Sequence, residues 1–186
     1  LTASANATVR GVPQPIDRTC KSAITREKTL SGSTSFEIEI CNMLINRGFN
    51  CIPQKAIGPY NIDIAIIEPP IAIEIFGGGW HNSGTHAARY RKRIEYILDS
   101  GFTPVIIWTV GNFINSGAID YIITLSEKLS RSPPIRSEEH VIRGDGYLCS
   151  VGNRKFNCFP GKHLTYYRDV TTGCFTGASW EQTPGM

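Results

Sequence analysis

The chain has 186 residues, enough for one ordinary domain with attachments or two small ones, and too few for a large multidomain machine. Its 41% hydrophobic content, 18 glycines and 11 prolines exclude wholesale disorder and a collagen-like repeat. A net charge of +3 permits an anionic partner without demanding one, and no apolar run approaches the roughly 18 residues of a membrane span, so the sequence reads as soluble and intracellular with no membrane partner.

Residues 1–34 are rich in Ala, Thr, Ser and Pro, carry more basic than acidic residues, show no sustained period, and read as a basic extended arm. From 35 to 131 the patterns run helix, strand, strand, helix, strand, helix, which is the order of an α/β core. Pro133 and Pro134 mark a linker, and the aromatic, glycine-punctuated stretch behind it reads as a small β-rich appendage, so 132–186 is taken as linker and C-terminal module. The six cysteines form no CxxC pair and read as reduced thiols. One grouping has zinc-ligand chemistry, Cys149, Cys158, His163 and Cys174, but its spacing fits no common finger, and structural zinc is not expected.

The first core helix spans about Ser35 to Arg47 and stops at Gly48. Steps of 100° place Phe36, Ile40, Cys41 and Leu44 on one arc, with Glu37 in its middle. A carboxylate there needs a partner. Thr34, three residues earlier, completes a capping-box pattern, and a catalytic role for Glu37 is an equally open alternative.

The segment NIDIAIIEPPIAIEIF, residues 61–76, reads as a hairpin. With the turn centred between Glu68 and Pro69, residues whose numbers sum to 137 face each other, which makes Asp63 and Glu74 cross-strand neighbours with Cβ atoms ~5 Å apart. Two like charges at that distance repel unless a cation lies between them, and a hard divalent ion, Mg²⁺ or Mn²⁺, suits the pair. A register shifted by one would put the two acids on opposite faces as unrelated surface charges. GGGWH follows at 77–81. Its glycines allow close backbone approach, Trp80 can stack on or wedge between bases, and His81 can exchange a proton near the metal; a turn, a core Trp and a surface His are the plain alternatives. In the next helix Ala87, Tyr90, Ile94, Ile97 and Leu98 form the buried stripe, while Arg89, Arg91, Lys92 and Arg93 suit either a phosphate backbone or a solvated basic face.

Taken together, Glu37, Asp63, IAIEIF, GGGWH and Arg93 resemble the PD-(D/E)xK (restriction-endonuclease-like) nucleases. Within that group the block is most similar to the very-short-patch repair (Vsr) endonuclease and to Vsr-like homing endonucleases of phage introns and inteins, over about Ser35 to Trp108. The resemblance implies a mixed central sheet flanked by helices, and Mg²⁺-dependent (or Mn²⁺-dependent) hydrolysis of phosphodiester bonds in double-stranded DNA, in a homing or repair role in a bacterium or phage-infected host. By it Glu37 would be the first-helix acid, Asp63 the central metal ligand, Glu74 the second acid, the backbone carbonyl of Ile75 a further ligand and His81 the proton-transfer group, with FTPVIIW at 102–108 the next core strand. The chain departs from the pattern at Phe76, where the general family has Lys and the repair enzyme His, and at Tyr90, where an acid often precedes the helix arginine; the repair enzyme's zinc ligands have no counterparts. Phe76 cannot transfer a proton, so His81 would carry that task, and a DNA-binding module that does not cleave is the competing expectation.

Overall fold

A computed structural model describes residues 15–77, 85–109, 114, 116–132, 138–153, 162–168 and 175–182. Of the stretch 1–34 read as an extended arm, Ile16–Thr29 forms helix α1, and residues 1–14 lie outside the described residues. The helix buries only Ala23, which is why no apolar period announces it. Polar contacts fasten it to the sheet. Glu27 accepts the Ala56 N–H at 2.7 Å and pairs with Lys55 Nζ at 2.9 Å, and the Asn61 side chain donates to the Ala23 carbonyl at 2.8 Å.

Helix α2 (Ser35–Ile45) follows and buries Ile40, Cys41 and Leu44. The capping box forms: Thr34 Oγ1 accepts the Glu37 N–H, and the Glu37 carboxylate accepts the Thr34 N–H, both at 3.2 Å. Two otherwise orphaned amides are thereby satisfied. Thr34→Ala should cost about 1 kcal/mol of unfolding free energy, read as a lower denaturant midpoint with an unchanged slope.

The sheet is built from β1 (Cys51–Ile57), β2 (Tyr60–Ile66), β3 (Ile71–Gly77), β4 (Thr103–Thr109), β5 (Glu138–Arg143) and β6 (Leu148–Asn153), in spatial order β1-β2-β3-β4-β5-β6. The first three strands are antiparallel, β3/β4 and β4/β5 are parallel, and β5/β6 is antiparallel again. The parallel pairs need crossovers, and α3 (Thr85–Asp99) and α4 (Ser116–Arg131) lie in those connections. Strand β1 adds an element that the sequence pattern does not display, because Pro53, Gln54 and Lys55 interrupt its apolar alternation; as an edge strand it tolerates the proline.

Strands β5 and β6 also correct the boundary at 132, since they extend the main sheet. The charged start of β5, Glu138-Glu139-His140, hides a core strand that buries Val141 and Ile142. A separate two-stranded sheet is formed only by β7 (Lys162–Arg168) and β8 (Phe175–Gln182).

The sheet is covered on both faces. On one, Ile40 and Leu44 of α2 and Ile119 and Ile122 of α4 pack on Ile64, Ile66, Ile71, Ile73, Val105 and Ile107. On the other, Ile94, Ile97 and Leu98 of α3 pack on Ile62, Ala72, Phe76, Ile106 and Trp108. Strand β4 is buried at all seven positions, as expected for the run at 102–108 between two helical layers. The β1–β2 turn sets Gly58, at φ +57, against α3, where a Cβ would stand 2.2 Å from the Tyr96 hydroxyl, so a larger residue would have to hold a left-handed backbone and push the exposed Tyr96 ring aside. Among the described residues no helix is long and apolar enough to cross a membrane.

Candidate active site

The β2–β3 ladder carries the register inferred from the turn: Ile64 faces Ile73, Ala65 faces Ala72 and Ile66 faces Ile71, each pair summing to 137. The next step along that register is Asp63 and Glu74. There the alternation of β2 slips. Period two would put Ile62 and Ile64 on one face, yet Ile62 joins the α3-side core and Ile64 the opposite one. Asp63 sits at the slip, and its Oδ2 accepts the Ile75 N–H at 2.8 Å, taking the place of a ladder partner. In an extended strand the N–H and C=O of one residue face the same neighbour, so the Ile75 carbonyl also faces β2.

Across from this slip, β1 is irregular too. Gln54, only 7% exposed, has φ +49, an unusual conformation for a residue other than glycine. Such strained positions cluster at functional sites. The Gln54 amide donates to Glu37 Oε2 at 3.2 Å, and its carbonyl accepts from the Asn61 side chain at 2.9 Å. The first turn of α2 is thereby tied to the β1–β2 pair, and Glu37 acts as a cap while its charge acts on both strand acids.

Glu74 is the most buried of the acids, at 2% exposure. Its position in the alternation is that of Ala72 and Phe76, on the α3 side of the sheet, and from α3 comes Arg93. Glu74 Oε1 lies 2.5 Å from a terminal nitrogen of Arg93, an ion pair that engages one carboxylate oxygen, and Arg93 Nε is buried without a partner. Arg93 also donates to the Asn61 carbonyl and lies over the Tyr60 ring at 5.8 Å. This arginine points into the site. The grouping of Arg93 with the basic outer face of α3 is corrected accordingly, whereas Arg89, Arg91 and Lys92 are exposed. Ala87 side-chain packing, Trp80 and His81 fall outside the described side chains, as do the side chains of Cys158, His163 and Cys174.

The electrostatics follow from burial. Loss of hydration raises the Glu74 pKa to about 8, helped by the charges of Asp63 and Glu37 and opposed by Arg93. Asp63 is raised to about 6, chiefly by burial and also by Glu37, against the Ile75 N–H and Arg93. One guanidinium therefore falls short of compensating three carboxylates. A hydrated Mg²⁺ or Mn²⁺ fits this donor set: Glu74 Oε1 is buried and already faces a cation, Asp63 retains Oδ1 beyond its bond to Ile75, and such an ion is held by one or two carboxylates while keeping several waters. Among the described residues no group of three His, Cys, Asp or Glu side chains is placed to hold a metal ion, so Glu37 does not join Asp63 and Glu74 in one ligand set.

Phe76, two residues beyond Glu74, is buried in an edge-to-face aromatic cluster with Tyr90 at 5.3 Å and Trp108 at 5.4 Å. Tyr90 in turn donates to the buried Glu139 of β5, whose pKa burial raises. Phe76 therefore serves apolar packing at this position. Sequence patterning overlooked Gln54, Asn61 and Glu139. The doublet Glu138-Glu139 ahead of an apolar pair was the readable signal for the last; Gln54 carries none, because a positive φ leaves no mark on a glutamine. Comparison of the chain with protein-family models, with curated proteins and with solved structures gives no match.

Proposed function

We propose that this chain is a Mg²⁺-dependent endonuclease that hydrolyses phosphodiester bonds in double-stranded DNA, built on a restriction-endonuclease-like core and serving a repair or homing role inside the cell. The observation that carries the reading is the buried Glu74 beside Asp63, on strands that part at that point, with too little positive charge to neutralise both. Folding would not retain such a pair for stability alone, because buried like charges oppose it. Perturbed carboxylates converging at one point are a common mark of a catalytic centre.

Asp63, Glu74 and the Ile75 carbonyl would hold the ion, with Glu37 available to a second one. Bound there, Mg²⁺ supplies Lewis-acid polarisation of a phosphate oxygen and a more acidic water. Glu37 and Gln54 position the acid edge, and the Asp63 bond to Ile75 fixes the orientation of its carboxylate. Arg89, Arg91 and Lys92 are exposed on α3 and suit neighbouring phosphates. By sequence order His81 would move the proton and Trp80 would press on the bases.

Purified protein should nick or cut supercoiled plasmid with Mg²⁺ and leave it intact with EDTA. Retarded but uncut DNA would instead support the second reading, a DNA-binding module without catalysis, which the burial of Phe76 at the family's lysine position favours.

A further inference from the structure

We propose that Arg93 is a displaceable counter-ion: it neutralises Glu74 while no metal is bound, and a divalent ion entering between Glu74 and Asp63 expels its guanidinium toward solvent. The inference rests on the metal-dependent reading above and adds a regulation of that site.

Three features of the arginine carry it. Arg93 occupies the position beside Glu74 Oε1 that a cation shared by the two acids would need, so guanidinium and ion compete for one carboxylate. Its bonding is incomplete for a structural arginine: Nε is buried with no partner, one terminal nitrogen meets a single Glu74 oxygen, and its remaining anchors are the Asn61 carbonyl and the Tyr60 ring. A fork built for permanence engages carboxylate oxygens through two parallel bonds. Finally, the Arg93 side chain is 28% exposed while that of Glu74 is 3% exposed, so the guanidinium has an outward path and the carboxylate has none. Glu74 must therefore stay and exchange one cation for another, because leaving it unpaired in the interior is strongly unfavourable.

Direct binding of Mn²⁺, followed by the electron paramagnetic resonance of the free ion with the full chain and no DNA, tests the competition. Arg93→Met should bind Mn²⁺ about five- to tenfold more tightly than the parent, the gain expected when the vacated state is otherwise populated roughly 10–20% of the time. Equal or weaker binding by Arg93→Met overturns the displacement and leaves the metal site standing. Failure of both proteins to bind Mn²⁺ overturns the displacement together with the metal-dependent reading.

Should Arg93→Met not fold, the parent protein labelled with ¹⁵N at arginine gives the second readout, with Arg93→Lys identifying the resonance. The Arg93 Nε–H signal should shift and exchange faster with solvent as diamagnetic Mg²⁺ is added. A signal unmoved at Mg²⁺ concentrations that displace Mn²⁺ from the site sinks the proposal.

Discussion

Replacing Asp63 by Asn should lower plasmid cleavage by at least about 100-fold while leaving the fold intact, a barrier increase of roughly 2.7 kcal/mol or more. The substitution is chosen for what it keeps. Asn presents a carbonyl oxygen of the same reach, so the Ile75 N–H at 2.8 Å still has an acceptor and the β2–β3 junction is preserved. It removes the negative charge that would hold a hard cation. Circular dichroism should therefore stay close to that of the parent, and the denaturation midpoint at neutral pH should hold or rise, because the substitution also removes a buried charge whose pKa burial raises, while turnover falls. An Asp63→Asn protein cutting within threefold of the parent would remove Asp63 from the reaction; a protein that no longer folds would mean the carboxylate is structural.

The second large effect is on stability against pH, without metal. Glu74 has a folded pKa of about 8 against an ordinary 4.5, and Asp63 about 6 against 3.8. Between those values the folded chain holds protons that the unfolded chain has released, so each group's stabilising contribution is complete below its ordinary pKa and is lost as pH climbs through the folded one. The metal-free protein should lose stability from about pH 4 to pH 8, with Glu74 dominating the upper part of the window. Glu139 shifts in the same direction, while the buried His140, whose pKa is lowered by desolvation, acts in the opposite sense.

Comparison with Glu74→Gln isolates the group. That variant should match the parent near pH 4.5 and exceed it at pH 8, by on the order of 2 kcal/mol once the lost partner of Arg93 is discounted. Millimolar Mg²⁺ should flatten the parent's decline and leave the Glu74→Gln protein nearly unaffected. A parent and variant that fall in parallel from pH 5 to pH 8 would show that Glu74 is ionised throughout.

Much of the hairpin was legible because its information is local. The Glu68-Pro69-Pro70 break fixes a centre and a centre fixes a register, which the ladder carries as far as Ile64 and Ile73; the slip beyond it, where Asp63 takes the Ile75 N–H, is not written in the turn. The same holds for α2, whose cap and stop, Thr34, Glu37 and Gly48, all lie within one short segment. What escaped the sequence depends on distant partners. Helix α1 is held by Glu27 and by the Asn61 side chain, bonds spanning 28 to 38 residues, and no periodicity encodes them.

Arg93 escaped in a similar way. Adjacent arginines look alike on a helical wheel, and only the position of β2 relative to α3 decides which of them turns inward. Strands β5 and β6 were separated from the core by the proline pair ahead of them, although the sheet continues on the far side. The resemblance drawn from motif order agrees with an α/β fold whose mixed sheet lies between helices. Its catalytic content rests on the tests above.

Glu27 also has a consequence for assembly. Strand β1 borders the sheet, and an uncovered border offers free amides that a strand from another molecule could match. The Glu27 carboxylate already takes the Ala56 amide, and α1 lies along that margin. A strand approaching from this side meets an occupied donor and a helix. The isoleucine-rich hairpin behind it is thereby kept from seeding intermolecular β-structure, and a helix with almost no hydrophobic claim on the protein earns its place as a guard rail.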